Sequence, residues 1–174
     1  MLKPAPARAA PPAALLPLGA GLRVVARGTA ALLALWWPMG AVAQVVTPCD
    51  WQVSAENLAE PWEDNTRTFA NGAIRLAVLD TAEPAAAAFH LLVLSPPVDM
   101  LGLRQCRVVA MPGPTGFGFL TLQGATAAYD PARGLTVTLS GGTYDDRGQP
   151  VAGTVRVTIN QATGQITANL DQRQ

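Results

Sequence analysis

The stretch that decides the fold runs from residue 69 to residue 111 and contains three short apolar segments, AIRLAVL (73–79), FHLLVL (89–94) and RQCRVVAM (104–111). Turn-forming residues bound these segments, with Asn71-Gly72 before the first and Ser95-Pro96-Pro97 after the second. Short apolar runs between turn signals are typical of buried β-strands. We therefore expect a sheet in which residues 89–94, apolar on both faces apart from His90, form a central strand covered on both sides.

The Asn71-Gly72 pair is the strongest hairpin signal in the chain. Residues 66–70 precede it and residues 73–79 follow it, and both segments have strand-like composition. A two-residue type I′ turn needs a positive φ at both central positions, which Asn and Gly adopt at low cost. The sequence thus predicts an antiparallel hairpin that turns at this pair.

The last third of the chain alternates between apolar and polar residues. Three segments show this period, with apolar sets Leu135, Val137 and Leu139, then Val155, Val157 and Ile159, then Ile166, Ala168 and Leu170. Alternation of this kind is typical of an antiparallel sheet packed on one face. Residues 117–122 add a further strand, in which Gly118 indicates a bulge or a close backbone approach. The prediction is an all-β fold, a single small antiparallel β-sandwich or barrel of about eight strands after an N-terminal signal segment.

The N-terminal region has the three-part pattern of a secretory signal. Four basic residues and no acid precede Gln44, an apolar run occupies residues 28–43, and Ala41-Val42-Ala43 forms a small-x-small site. We expect cleavage between Ala43 and Gln44, which gives a signal peptide of residues 1–43 and a single β-rich domain of residues 44–174. The alternative is an uncleaved membrane anchor, because residues 28–46 are just long enough to span a bilayer.

Export determines the interpretation of the cysteines. The chain has two, Cys49 and Cys106, and both lie after the predicted cleavage site. In the periplasm or outside the cell, an isolated pair of cysteines is most simply a disulfide. Two cysteines without nearby histidines make a poor zinc site, so we expect no metal and no cofactor.

Charge and motifs exclude several function classes. From Gln44 onward the chain has eight arginines, no lysine and twelve acids, a net charge of −4. An acidic domain without a basic patch argues against nucleic acid and against anionic membrane surfaces, so we expect no membrane contact after cleavage. The chain also lacks a phosphate-binding loop, a dinucleotide fingerprint and a Cys-x-x-Cys motif.

His90 is the one histidine of the chain and the first candidate for catalysis. Ser95 and Asp99 lie nearby in sequence and could act as nucleophile and carboxylate. However, no Gly-x-Ser-x-Gly motif accompanies them, and positions five residues apart on a strand point to opposite faces. A core histidine with a satisfied ring explains the apolar neighbours better. The catalytic residues, if any, stay unknown at this point.

Two acidic groups and two tryptophans are weaker candidates. Asp145 and Asp146 lack the alternating oxygen ligands and distant Glu of a calcium loop and are expected in a solvated turn. Glu60, Glu63 and Asp64 surround Trp62, but an acid pair for glycoside hydrolysis needs a defined separation across a cleft. Trp51 and Trp62 could stack on a ligand, although single aromatics in small β domains usually belong to the core or its rim.

The run FANGAIRLAVLDTAEPAAAAFHLLVLSPP (69–97), followed by RQCRVV (104–109), resembles uncharacterised secreted proteins of alphaproteobacteria. The resemblance extends over roughly residues 49–110. It implies export and carries over no activity. The function that we expect from the sequence is an exported, non-catalytic binding or envelope-accessory module for an unknown protein or small-molecule ligand. The alternatives are a small periplasmic hydrolase that uses His90 with nearby carboxylates, and a domain tethered to the membrane by its uncleaved N-terminal segment.

Overall fold

The structure is a computed structural model, and it describes residues 42–113 and 115–172. Most of the predicted signal peptide, residues 1–41, lies outside this part of the chain. The described residues form ten strands: β1 (Val42–Ala43), β2 (Val45–Pro48), β3 (Thr66–Phe69), β4 (Ile74–Asp80), β5 (Phe89–Val98), β6 (Arg104–Ala110), β7 (Phe119–Asp130), β8 (Gly134–Tyr144), β9 (Pro150–Ile159) and β10 (Ile166–Gln172). Between β2 and β3 lie 3-10 turns at Trp51–Val53 and Ala55–Asn57 and one short helix, α1 (Trp62–Asn65). No helix in the described ranges has the length and apolarity that a membrane span requires.

The strands form two antiparallel sheets of five strands each. Sheet A has the order β1-β10-β9-β8-β7, and sheet B has the order β2-β6-β5-β4-β3. Buried residues of both sheets form one hydrophobic core, as in a β-sandwich. The all-β prediction is confirmed, and the strands beyond the expected eight are the short edge strands β1 and β2.

The core contains the residues that the alternation pattern assigned to it. Every apolar residue of the three alternating segments in β8, β9 and β10 packs in or against the core cluster. From sheet B, the cluster takes Ile74, Leu76 and Val78 of β4 and Leu91 and Val93 of β5. Because side chains alternate along a strand, the residues between these point to the outer face of sheet B.

The predicted hairpin is present with the expected turn. Asn71 and Gly72 have φ values of 54° and 84°, and the Ala73 N–H donates to the Ala70 carbonyl at 3.1 Å. The last ladder pair, Phe69 with Ile74, has the register that a two-residue turn imposes. Ala70 also has a positive φ, which ends the ladder one residue before the turn.

Strand β7 is longer than predicted. The sequence analysis ended this strand at Leu122, whereas β7 continues to Asp130 after a register shift between Thr121 and Thr126. The extension is rich in alanine and exposed, so it lacked the β-branched alternation that marks a strand. The sequence analysis offered a bulge or a close backbone approach at Gly118. The structure shows a close approach, because a Cβ at this position would lie 2.8 Å from the Tyr144 ring.

The predicted disulfide joins Cys49 and Cys106 with a Cα–Cα distance of 5.4 Å. Cys49 follows β2 directly, and its N–H donates to the Cys106 carbonyl at 3.3 Å. The bond therefore extends the pairing of β2 with β6 by a covalent link at the edge of sheet B.

The predicted cleavage site lies where the chain passes from one sheet to the other. Ala43 pairs with Asn169 of sheet A, and Val45 pairs with Ala110 of sheet B. Gln44 between them is buried, and its N–H donates to the Ala168 carbonyl at 2.9 Å. The last two residues of the predicted signal peptide thus form β1.

Candidate functional site

His90 lies on the outer face of sheet B, opposite Leu79 in the ladder between β4 and β5. Its side chain is only 4% exposed, and Nδ1–H donates to the Ala88 carbonyl at 3.0 Å. Burial lowers the pKa of His90 below its usual value of 6.5, and the hydrogen bond to Ala88 opposes that shift. The ring is therefore neutral at pH 7, with its proton on Nδ1.

The described residues do not bring His90 together with a nucleophile or a carboxylate. A Cβ at Gly116 would lie 2.8 Å from His90 Cε1, so the backbone of the loop after β6 covers the ring. Ser95 lies on the core-facing side of the same strand, where its hydroxyl accepts a hydrogen bond from Gln105 at 3.0 Å. The carboxylate of Asp99 accepts the N–H groups of its own loop, and His90 lines neither of the two cavities described below.

The acidic candidates occupy turns. Oδ1 of Asp145 accepts the N–H groups of Arg147 and Gln149 at 2.9 Å and 2.7 Å, which closes the turn between β8 and β9. Glu63 and Asp64 lie in the first turn of α1. Within residues 42–113 and 115–172, no three His, Cys, Asp or Glu residues form a group that could hold a metal ion.

The surface with the clearest binding chemistry is a groove on the outer face of sheet B, with a volume of about 610 Å³. We call it the sheet-B groove, and its lining residues are Leu58, Trp62, Thr66, Arg67, Thr68, Arg75, Ala77, Leu92 and Leu94. This volume is within the range of small-molecule sites in proteins.

The strand register explains the floor of the groove. Thr66, Ala77 and Leu92 are successive partners across β3, β4 and β5, and Thr68, Arg75 and Leu94 form the next row. All six side chains point away from the core because they alternate with core residues. The second row continues to Cys106, so the disulfide lies at one end of the groove floor.

The segment between β2 and β3 forms one wall. It is fixed at one end by the disulfide and at the other by the bridge between Leu58 and Leu79. Val108 and Leu79 point to the outer face of sheet B and are nevertheless buried, so other parts of the chain cover the sheet at these two positions. Leu92 and Leu94 remain partly exposed, so the cover ends at the groove.

The rim carries an aromatic ring and a cation. Trp62, at the start of α1, is 57% exposed, a high value for so large an apolar side chain. Arg75 is exposed, and no carboxylate in the described part of the chain lies within ion-pair distance of it. Arg67 also lines the groove, but its guanidinium donates to the carbonyls of Glu63 and Thr66. Among the described residues, Arg75 is thus a cation at the leucine floor that has no ion-pair partner.

A second cavity, of about 600 Å³, lies at the other end of the sandwich, between the loop after β6 and the β8–β9 turn. Alanine, glycine and proline provide much of its lining, and its charged residue, Asp145, is engaged in its own turn. This cavity offers a ligand few directional partners. The sheet-B groove combines an apolar floor, an aromatic face and an unpaired guanidinium.

Sequence analysis found part of this site. It named Trp62 as a residue that could stack on a ligand, but it missed Arg75, Leu92, Leu94 and Thr68. The sequence signal for these residues was that 89–94 are apolar on both faces, which predicted a strand covered on both sides. In the structure, the outer face of this strand is only partly covered. Comparison with known proteins adds no relative, because no family model, no curated protein and no solved structure matches the chain.

Proposed function

We propose that this protein is an exported, non-catalytic binding module of the cell envelope, and that its ligand lies in the sheet-B groove. The observation that carries the proposal is the exposed leucine floor beside Trp62 and the unpaired Arg75. Export is supported by the signal pattern of the sequence and by the disulfide.

The chemistry of the groove favours an amphipathic ligand with an acidic group. Leu92, Leu94 and Ala77 offer an apolar surface to an aliphatic or aromatic body. The exposed indole of Trp62 can cover that body from the rim. The guanidinium of Arg75 can then donate two parallel hydrogen bonds to a carboxylate or phosphate, a geometry that gives specificity as well as affinity.

The same residues favour binding over hydrolysis. Activation of a hydroxyl needs an adjacent base, and His90 does not line the groove. The hydroxyl of Thr66 donates to the Trp62 carbonyl at 2.7 Å and is occupied in holding α1. The groove therefore has groups that hold a ligand but no activated nucleophile among the described residues.

Titration with decanoate and with decanol, followed by tryptophan fluorescence and calorimetry, tests the proposal. Decanoate should bind more tightly than decanol by about tenfold or more, because a hydrogen bond to a charged group contributes about 1.5–3 kcal/mol net and about 1.4 kcal/mol is a factor of ten in affinity. Arg75→Gln should remove this preference, and Trp62→Ala should weaken both ligands. Arg147→Gln, in the exposed β8–β9 turn, is the matched control. Unchanged decanoate binding by Arg75→Gln and by Leu94→Asp would show that the groove is not the site.

A further inference from the structure

The tip of the β5–β6 hairpin carries the most exposed apolar side chains in the described part of the chain. Met100 is 104% exposed and Leu101 is 84% exposed, and Leu103 and Val98 follow with 62% and 55%. Clusters of exposed large apolar residues mark interaction sites in soluble proteins. We call these residues at the end of the hairpin the apolar tip (98–103).

Hydrogen bonds within the loop fix the apolar tip in one conformation. Oδ1 of Asp99 accepts the N–H groups of Leu101 and Leu103 at 2.8 Å and 2.9 Å. The Asp99 N–H donates to the Leu103 carbonyl at 2.9 Å, and Gly102 N–H donates to the Asp99 carbonyl at 3.0 Å. The loop thus satisfies four of its backbone N–H groups and two of its C=O groups internally, which lowers the cost of moving it into a medium without water.

Three arginines lie behind the tip on sheet B. Arg104 follows it directly and donates to the Gly72 carbonyl at 3.0 Å, while Arg107 donates to the Cys106 carbonyl at 2.8 Å. Arg75 is the third. Within the described residues, none of the three has a carboxylate within ion-pair distance, and the carboxylate of Asp99 is held by its own loop. Along the hairpin, the apolar tip is therefore followed by two arginines, Arg104 and Arg107, without an ion-pair partner among the described residues.

We propose that the apolar tip inserts into the interface of a phospholipid bilayer. The order of polarity matches the bilayer, since Met100 and Leu101 would reach the acyl chains while Arg104 and Arg107 meet the lipid phosphates. Asp99 and Leu103 pair at the base of the loop, so insertion is shallow and leaves the carboxylate at headgroup depth. This proposal differs from the sequence-based expectation of no membrane contact, because the net charge of −4 conceals a local excess of arginine on this hairpin.

The apolar tip and strand β1 lie at different ends of the sandwich. Strand β1 pairs beside Leu170, near the end of β10, whereas the loop before β10 lies at the tip, where a Cβ at Gly164 would lie 2.7 Å from Pro97.

Site-specific labelling of the full chain tests the inference. Leu101→Cys is labelled with nitrobenzoxadiazole and mixed with vesicles of phosphatidylcholine containing about one third phosphatidylglycerol. Its fluorescence should rise at least about twofold with a blue shift, because the probe leaves water. Tyr144→Cys, at the opposite end of the sandwich, carries the control label and should not change.

A second measurement uses unlabelled protein and vesicle flotation. Met100→Ser/Leu101→Ser should lower the vesicle partition coefficient by about a hundredfold, since each of the two side chains contributes about a tenfold factor when its burial is partial. Tyr144→Ser is the matched control. The proposal would be overturned if the label fluorescence did not change at position 101, or if it changed equally at position 144. It would also be overturned if the fluorescence at position 101 rose with protein concentration in the absence of vesicles, because that would show a protein–protein contact instead.

Discussion

Removal of the Cys49–Cys106 disulfide should destabilise the protein strongly. The perturbation is the double substitution Cys49→Ala/Cys106→Ala, and reduction of the wild type provides the same change without mutation. The two residues are 57 positions apart, and their bond closes most of sheet B into one loop. In the chain-entropy model, a loop of this length restricts the unfolded state by about 4 kcal/mol.

The structure adds a local contribution to this estimate. Strand β2 has four residues and pairs along sheet B with β6 alone, so it has few hydrogen bonds of its own. The disulfide attaches the segment after β2 to sheet B on the β2 side. Loss of the bond should therefore also free the end of β2, where Pro48 pairs with Arg107.

The expected effect is large compared with the total stability. About 4 kcal/mol is a third or more of the net stability of a typical domain. Because about 1 kcal/mol shifts the melting temperature of a domain of this size by a few degrees, the double variant should melt roughly 10 °C or more below the oxidised wild type.

The assay is thermal unfolding followed by circular dichroism, with and without reductant. Reductant should lower the melting temperature of the wild type to that of the double variant and leave the double variant unchanged. Hydrogen exchange at the Cys49 amide, which donates to the Cys106 carbonyl, should accelerate in the same samples. Melting temperatures of oxidised and reduced wild type that agree within about 2 °C would refute the reasoning, since they would show that the bond does not restrict the unfolded chain.

Three further predictions concern other parts of the molecule. Because burial lowers the pKa of His90 in the folded state, the unfolded state binds a proton at His90 first as pH falls below about 6.5. The free energy of unfolding, measured by urea titration, should therefore decrease from pH 7 to pH 5. The decrease should be smaller in His90→Gln. Gly116→Ala should cost about 2 kcal/mol or more in the same assay, because its Cβ would lie 2.3 Å from the Phe89 carbonyl oxygen. N-terminal sequencing of the exported protein should find Gln44 first, and a retained N-terminus in a membrane fraction would contradict the predicted cleavage.

The sequence predicted the features that depend on local pattern. The alternation of Val155, Val157 and Ile159 places one face of β9 in the core whatever its neighbours are. The Asn71-Gly72 pair determines its hairpin, because few other residues adopt its φ values at low cost. The cysteine pair could be assigned since the chain has two cysteines and a signal pattern, which leaves one possible bond.

The groove could not be predicted because it depends on register between strands that are distant in sequence. Thr68, Arg75 and Leu94 become neighbours only when β3, β4 and β5 pair in one particular alignment. A shift of one residue would turn each side chain to the other face. The apolar tip was missed for another reason. It follows the turn signal Ser95-Pro96-Pro97, and a turn signal does not indicate how exposed the side chains after it are.

The two sheets differ in how their outer faces are completed, and this difference concentrates the proposed functions on sheet B. The outer face of sheet A is polar, with a hydrogen bond between Thr136 and Thr158 at 2.9 Å and an ion pair between Arg156 and Asp171. Such a face needs no cover. Sheet B carries apolar residues on both faces, and Leu92 and Leu94 on its outer face stay partly exposed. Large exposed apolar patches mark interaction sites, so the proposed ligand and bilayer would complete a surface that lies beside arginines without an ion pair in the described part of the chain.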